Sequence, residues 1–198
     1  MSWLRSNSSV SAALVLAAAG LVAIGGVSVA QEHTGPGHAG HEHAAPAGHT
    51  PACAAFKWPI EQDRAAFERS DIGKVNSGAS GIVWAEQVVA VTLRPAKDVT
   101  FAAAPPEKKN PPDSFAGTVG FSPPAAAGAY QVTISNHSWV DLVQQDAALE
   151  AVDHSGAKGC DGVRKSIRFD VGAGPVTLQI TGSPDEVVKV SIRPVQPG

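Results

Sequence analysis

Methionine and aromatic side chains are scarce in this chain: Met1 is the single methionine, Tyr130 the single tyrosine, and Phe, Trp and Tyr together make 6% of 198 residues. A thioether-supported copper site therefore has no Met to draw on in an exported protein, and a core has to be built mainly from Val, Ile and Leu. Charge of one sign is also missing. Fifteen basic residues face 18 acidic ones for a formal net charge of −3, without the basic excess that nucleic-acid binding requires. No H-E-x-x-H, G-x-S-x-G, Walker loop or dinucleotide fingerprint occurs, so zinc hydrolysis, serine hydrolysis and nucleotide chemistry have no motif to rest on. The length allows one or at most two small domains.

What is present is unevenly placed. Residues 1–30 read as a secretory signal: Arg5 is a sparse positive start, Ala12 to Ile24 form an uncharged apolar stretch, and Ser28-Val29-Ala30 is a small-x-small cleavage site. If left uncleaved, this segment is the one membrane contact expected, since Ser11 to Ala30 is nearly long enough to span a bilayer. Cleavage removes Arg5 from the 15 basic residues, so the mature charge against 18 acids is −4. Export to the periplasm or beyond places Cys53 and Cys160 in an oxidising compartment, where an even cysteine count favours a disulfide. A Cys/His metal site and a free thiol are the competing readings.

Residues 31–52, QEHTGPGHAGHEHAAPAGHTPA, contain no Val, Ile, Leu or aromatic side chain and cannot bury enough apolar surface to offset the entropy of ordering. The expectation is a disordered tail ahead of a folded domain spanning residues 53–198. That domain begins with an amphipathic segment, Lys57 to Arg69. Pro59 suits a first helical turn, acids come early, and Ile60 and Phe67 share a face; the pattern predicts a helix of about ten residues covering an edge or open end of the strand-rich remainder. Strand-like alternation then recurs in Val89-Val91-Leu93, Phe115-Val119-Phe121, Tyr130-Val132-Ile134, Val163-Ile167-Phe169-Val171, Val176-Leu178-Ile180 and Val188-Val190-Ile192. Two further strands are expected over Trp139 to Gln144 and Ala148 to His154. Prolines at Pro105-Pro106, Pro111-Pro112 and Pro123-Pro124 mark loops. The pattern predicts an all-β, antiparallel sandwich of about eight strands behind a short amphipathic helix.

Five of the seven histidines fall in the tail: His33, His38, His41, His43 and His49. Neutral imidazole is a common ligand for copper, nickel, zinc and cobalt, and a flexible chain can gather several rings around one exchangeable ion. His38-x-x-His41-x-His43 is the compact part, with Glu32 and Glu42 as oxygen donors. The plainer reading is a solvated linker. Cleavage after Ala30 adds a second feature, because a chain starting Gln31-Glu32-His33 resembles the amino-terminal copper and nickel motif. Its terminal amine, two backbone amides and third-residue imidazole supply four nitrogens in the tetragonal arrangement those ions prefer. Cyclisation of Gln31 would remove the amine.

In the folded part only His137 and His154 remain. A second metal site combining them with Asp141 or Asp153 is the sharper reading; hydrogen-bonded surface histidines at strand ends are the plainer one. The run Val163-Arg164-Lys165-Ser166-Ile167-Arg168 places Arg164, Ser166 and Arg168 on one face, with Lys165 joining Val163 and Ile167 only through a bulge. It reads as a charged solvent face or an anion platform.

The segments Gly128 to Ser135, His137 to Leu142 and Gly159 to Ser166 resemble a family of small exported bacterial proteins of unknown role. The stretch Phe169 to Gly182 is similar to the last strands of bacterial pre-peptidase C-terminal sandwich domains. The resemblance covers about Lys57 to Pro194 and implies a jelly-roll-like sandwich. Some members of the first family are named homogentisate dioxygenases; the iron-binding His and Glu constellation of that larger cupin-type enzyme has no visible counterpart in this chain. The functional expectation is an exported, non-enzymatic transition-metal-binding protein that captures, buffers or delivers its ion to an envelope transport protein or other periplasmic partner. The alternatives are a sandwich that binds a carbohydrate, peptide or envelope protein in a groove lined by Trp84, Trp139 or Tyr130, and a small oxygenase-type enzyme.

Overall fold

A computed structural model of the chain describes residues 51–83 and 87–195. The expected signal segment, the five histidines from His33 to His49, the Gln31-Glu32-His33 start and Trp84 lie outside the described residues.

Among the described residues the strands form two sheets. The larger runs β1 (Gly73–Asn76), β2 (Gln87–Thr92), β11 (Val187–Pro194), β5 (Gly128–Ile134), β9 (Lys165–Val171) and β8 (Ala151–Gly156). The smaller runs β3 (Arg94–Pro95), β4 (Phe115–Phe121), β10 (Val176–Ser183), β6 (Trp139–Gln144) and β7 (Ala147–Ala148). Every pairing of named strands is antiparallel except β1 with β2. Eight of these strands have six residues or more. Numbered by themselves in chain order, the larger sheet takes the first, eighth, third, sixth and fifth of them, and the smaller the second, seventh and fourth. This interleaving is a jelly-roll wrapping, as expected. Its fifth strand is divided: it starts as β7 beside β6 and continues as β8 beside β9.

The side-chain period of two decides which residues fill the space between the sheets. Val89, Val91, Val119, Val132, Ile134, Leu142, Ile167, Phe169, Leu178, Ile180, Val188 and Val190 are all buried in one cluster. A fully buried aliphatic or aromatic side chain contributes about 1.5–3 kcal/mol, so this aliphatic core is sufficient without many aromatics. Val163 departs from the expected pattern: it precedes β9 and packs instead with Trp58, Ile60, Phe67, Ala157 and Cys160.

That second cluster is built by the N-terminal lead-in. The helix α1 (Glu61–Glu68) is shorter than expected, and Ile60 and Phe67 are buried together as their spacing requires. Its position corrects the expected edge. α1 contacts β2 and β11, so it lies on the outer face of the larger sheet. The outward residues there are polar, and the lead-in meets them with one buried carboxylate. Asp63 is 1% exposed and accepts from Gln131 Nε2 (3.0 Å), Thr133 Oγ1 (3.1 Å), Ser191 Oγ (2.6 Å) and the Arg193 guanidinium (3.1 Å). Trp58 Nε1 donates to Ser166 Oγ at 2.9 Å. The lead-in is fastened covalently as well: Cys53 and Cys160 form the expected disulfide, which removes the Cys/His metal reading.

Candidate functional site

β6 and β7 pair through Val143–Ala148 and Gln144–Ala147, and the Leu149 N–H still donates to the Leu142 carbonyl at 2.7 Å, so the first half of β6, Trp139 to Asp141, has β10 on one side and no named strand on the other. The turn between them is tight: Gln145 and Asp146 both have positive φ (52° and 61°), the two-residue conformation that suits a twisted hairpin. After Ala148 the chain crosses through Leu149 and Glu150 to the other sheet. A cleft of about 460 Å³ opens between the unpaired start of β6 and the β8–β9 pair. Leu149, Ile167 and Phe169 give it an apolar floor, and Trp139, Asp141, Glu150, His154 and Lys165 bring polar groups to its walls.

Lys165 faces the same way as Ile167 and Phe169, and the β5–β9 register is unbroken from Lys165 to Val171. No bulge is needed to turn it inward, contrary to expectation; plain alternation does so. Its Nζ lies 5.2 Å from the centre of the Trp139 ring, and Lys109 Nζ lies 4.6 Å from the same ring. Such cation–π contacts are worth about 0.5–2 kcal/mol depending on desolvation. Burial pushes the Lys165 ammonium below the ordinary lysine range, and the charges of Lys109 and Arg164 add to that; Asp141 pulls the other way. Burial raises the Asp141 carboxyl above its usual range against the opposing effects of the Trp139 indole, which donates to it at 2.9 Å, and of Lys165.

Lys109 reaches Trp139 because its loop crosses β10 closely at Gly182. Gly182 has φ +63°, and a Cβ there would stand 2.6 Å from the Lys109 carbonyl oxygen, so only glycine fits both demands.

The second set of expected ligands divides. His137, between β5 and β6, and His154, within β8, line one smaller cleft of about 200 Å³ with Arg164 and Lys165. His154 also borders the main cleft with Asp141. Asp153 points elsewhere. A bulge in β8 between Ala151, opposite Phe169, and Asp153, opposite Arg168, inserts one residue and reverses the alternation. Asp153 therefore turns to the outer face, where Lys57 Nζ approaches within 2.6 Å and lowers its carboxyl pKa. Among the described residues no group of three or more His, Cys, Asp or Glu side chains is placed to hold a metal ion. Arg164 and Arg168 separate too: Arg164 lines the small cleft, while Arg168 stacks over the Trp58 ring at 4.1 Å. Tyr130 is a core residue, 6% exposed, whose hydroxyl donates to the Ala126 carbonyl, so of the expected groove aromatics Trp139 alone lines this cleft among the described residues.

The residues missed at the sequence level are Lys165 and Lys109 as partners of Trp139, and Asp63 as the anchor of the lead-in. Lys165 carried a signal, because it sits at an inward phase of a strand that is otherwise apolar at that phase. No protein-family model matches the chain, and no curated protein matches it.

Proposed function

We propose that the protein is an exported, non-enzymatic transition-metal binder in which His33, His38, His41, His43 and His49 capture copper, nickel, zinc or cobalt in an exchangeable site. The observation that carries this reading is the concentration of five of the seven histidines in one segment without Val, Ile, Leu or aromatic residues, a composition suited to wrapping an ion and unsuited to packing. The Cys53–Cys160 disulfide is consistent with the export part of this reading, since such bonds persist in oxidising compartments. The sandwich then serves as carrier and as the surface presented to an envelope partner that receives the metal.

Unperturbed imidazole has a pKa of about 6.5, and only the neutral ring ligates, so affinity falls as the pH drops below about 6. The test is a metal titration of the mature chain against a variant with all five histidines replaced by Ala. Equal affinity and stoichiometry in the two proteins would sink the proposal. Mass spectrometry of the mature N-terminus decides whether Gln31 carries a free amine or a cyclised ring, and with it whether the Gln31-Glu32-His33 arrangement adds a separate copper or nickel site.

A further inference from the structure

We propose that the cleft between β6 and the β8–β9 pair binds a small amphipathic carboxylate, its anionic head against Lys165 and its apolar body on Leu149, Ile167 and Phe169. This assignment is independent of the metal-binding segment. The volume of about 460 Å³ falls within the range of small-molecule sites, about 300–1,000 Å³. Such sites combine an apolar lining with a few polar groups that orient the ligand, and Lys165 is placed to be one of them. An ammonium carries three donors and no acceptor. Among the described residues Lys165 Nζ has no carboxylate within ion-pair distance and no hydrogen-bond acceptor; its contacts are the Trp139 ring and the longer-range charges of Asp141, Lys109 and Arg164. Partial burial disfavours the Lys165 charge, while its Nζ stays open to the cleft and is not among the buried atoms left without a partner; a carboxylate oxygen entering the cleft is an acceptor that offsets that cost.

The charge distribution gives the cleft a direction. Lys109, Lys165 and Arg164 gather at one end with His137 and His154, and Asp141 is the acid facing them there. Glu150 precedes Ala151, which pairs with Phe169, four residues along β9 from Lys165. At about 3.3 Å per residue it stands on the order of 13 Å from the cationic end. The anionic head therefore avoids Glu150, and the apolar floor lies between the two ends. Two features argue against other occupants. The ammonium groups of Lys109 and Lys165 both lie over the Trp139 ring, which is thus not a bare platform for a sugar. A cationic ligand would meet the same charges as repulsion.

The experiment uses the full mature protein and octanoate as the probe, measured by calorimetric titration, with octylammonium, 1-octanol and acetate as matched controls. Saturable octanoate binding is expected, with each control at least about tenfold weaker. Lys165→Met is expected to weaken octanoate about tenfold or more and Lys165→Arg to retain most of the affinity, because a hydrogen bond to a charged group is involved. In the unmodified protein, octanoate is expected to shift the Trp139 indole resonance and to leave that of Trp58 in place, a readout that does not depend on any variant folding. The proposal is overturned by absence of saturable binding at millimolar octanoate or by octylammonium or 1-octanol binding as tightly. An unchanged affinity in a folded Lys165→Met protein, or a response at Trp58 without one at Trp139, overturns it as well.

Discussion

Replacing Asp63 with Ala tests whether a single carboxylate holds the lead-in on the sandwich. The substitution removes the acceptor for Gln131, Thr133 and Ser191 and leaves the Arg193 guanidinium without its counter-charge. Taking one partner from a buried ion pair costs about 3–5 kcal/mol. The Arg193 side chain is 20% exposed, so water recovers part of its solvation, and the expected loss lies near the lower end, about 3 kcal/mol. Asp63→Asn keeps the shape and one acceptor oxygen and is expected to cost about 1–3 kcal/mol. Against a total stability of about 5–15 kcal/mol, both variants remain folded. Urea unfolding followed by tryptophan fluorescence reads the loss, with an unchanged m value showing that the folded and unfolded states are otherwise the same. The lead-in can also open as a unit of its own, so hydrogen exchange of the α1 amides is read in parallel. A loss below about 1 kcal/mol for Asp63→Ala in both measurements would refute the argument that the carboxylate pins the helix.

Three further outcomes are expected. Replacing both Cys53 and Cys160 with Ser opens a loop with a sequence separation of 107, for which loop-closure entropy gives at most about 4.8 kcal/mol; urea midpoints measure the loss, and the metal stoichiometry of the histidine segment stays unchanged. Asp141→Asn raises the melting temperature at neutral pH. The raised folded pKa of Asp141 means its charge is a cost above that pKa, relieved as the pH falls toward the unfolded value of 3.8, so the gain disappears in acid melts; a gain that persists at low pH contradicts the argument. Gly182→Ala forces a left-handed residue and a clash with the Lys109 carbonyl, and is expected to cost about 1–3 kcal/mol. It also lifts Lys109 off Trp139, which a change in the Trp139 indole resonance reports.

The core was legible where period-two alternation runs uninterrupted. Val132, Ile134, Leu178, Ile180, Val188 and Val190 are buried as that alternation requires, because each lies on a strand with neighbours on both sides. β1 was not legible: its four residues carry one apolar side chain, Val75, and it joins β2 in parallel across a long connection. The reach of the lead-in was not legible either. The outward positions Gln131, Thr133, Ser166 and Ser191 look like solvent-facing residues by pattern, and they are buried only because Asp63 and Trp58 come from more than sixty residues away to satisfy them. Asp153 misled for the opposite reason, since a one-residue bulge is invisible to composition yet decides which face the residue takes.

The cleft itself results from the divided fifth strand. Had the chain continued along β6 beyond Leu149, whose N–H still donates to the Leu142 carbonyl, it would have covered the edge at Trp139, Val140 and Asp141 and closed the sandwich on that side. Instead it leaves at Leu149 and Glu150 to pair with β9, and the space it vacates is walled by both sheets. Neither a glycine nor a proline marks the crossing, and the hairpin before it uses Gln145 and Asp146 at positive φ where Asn-Gly is the usual signal. The same geometry explains why Lys165 occupies an inward position. The open edge of β6 across the cleft gives the long side chain a route to the rim, so the ammonium reaches Trp139. Burial and the neighbouring Lys109 and Arg164 charges still disfavour the ammonium there, and an apolar side chain of similar length would avoid that cost. A position that gives up stability to hold a cation beside the apolar floor of a cleft is where a ligand's opposite charge has the most to contribute.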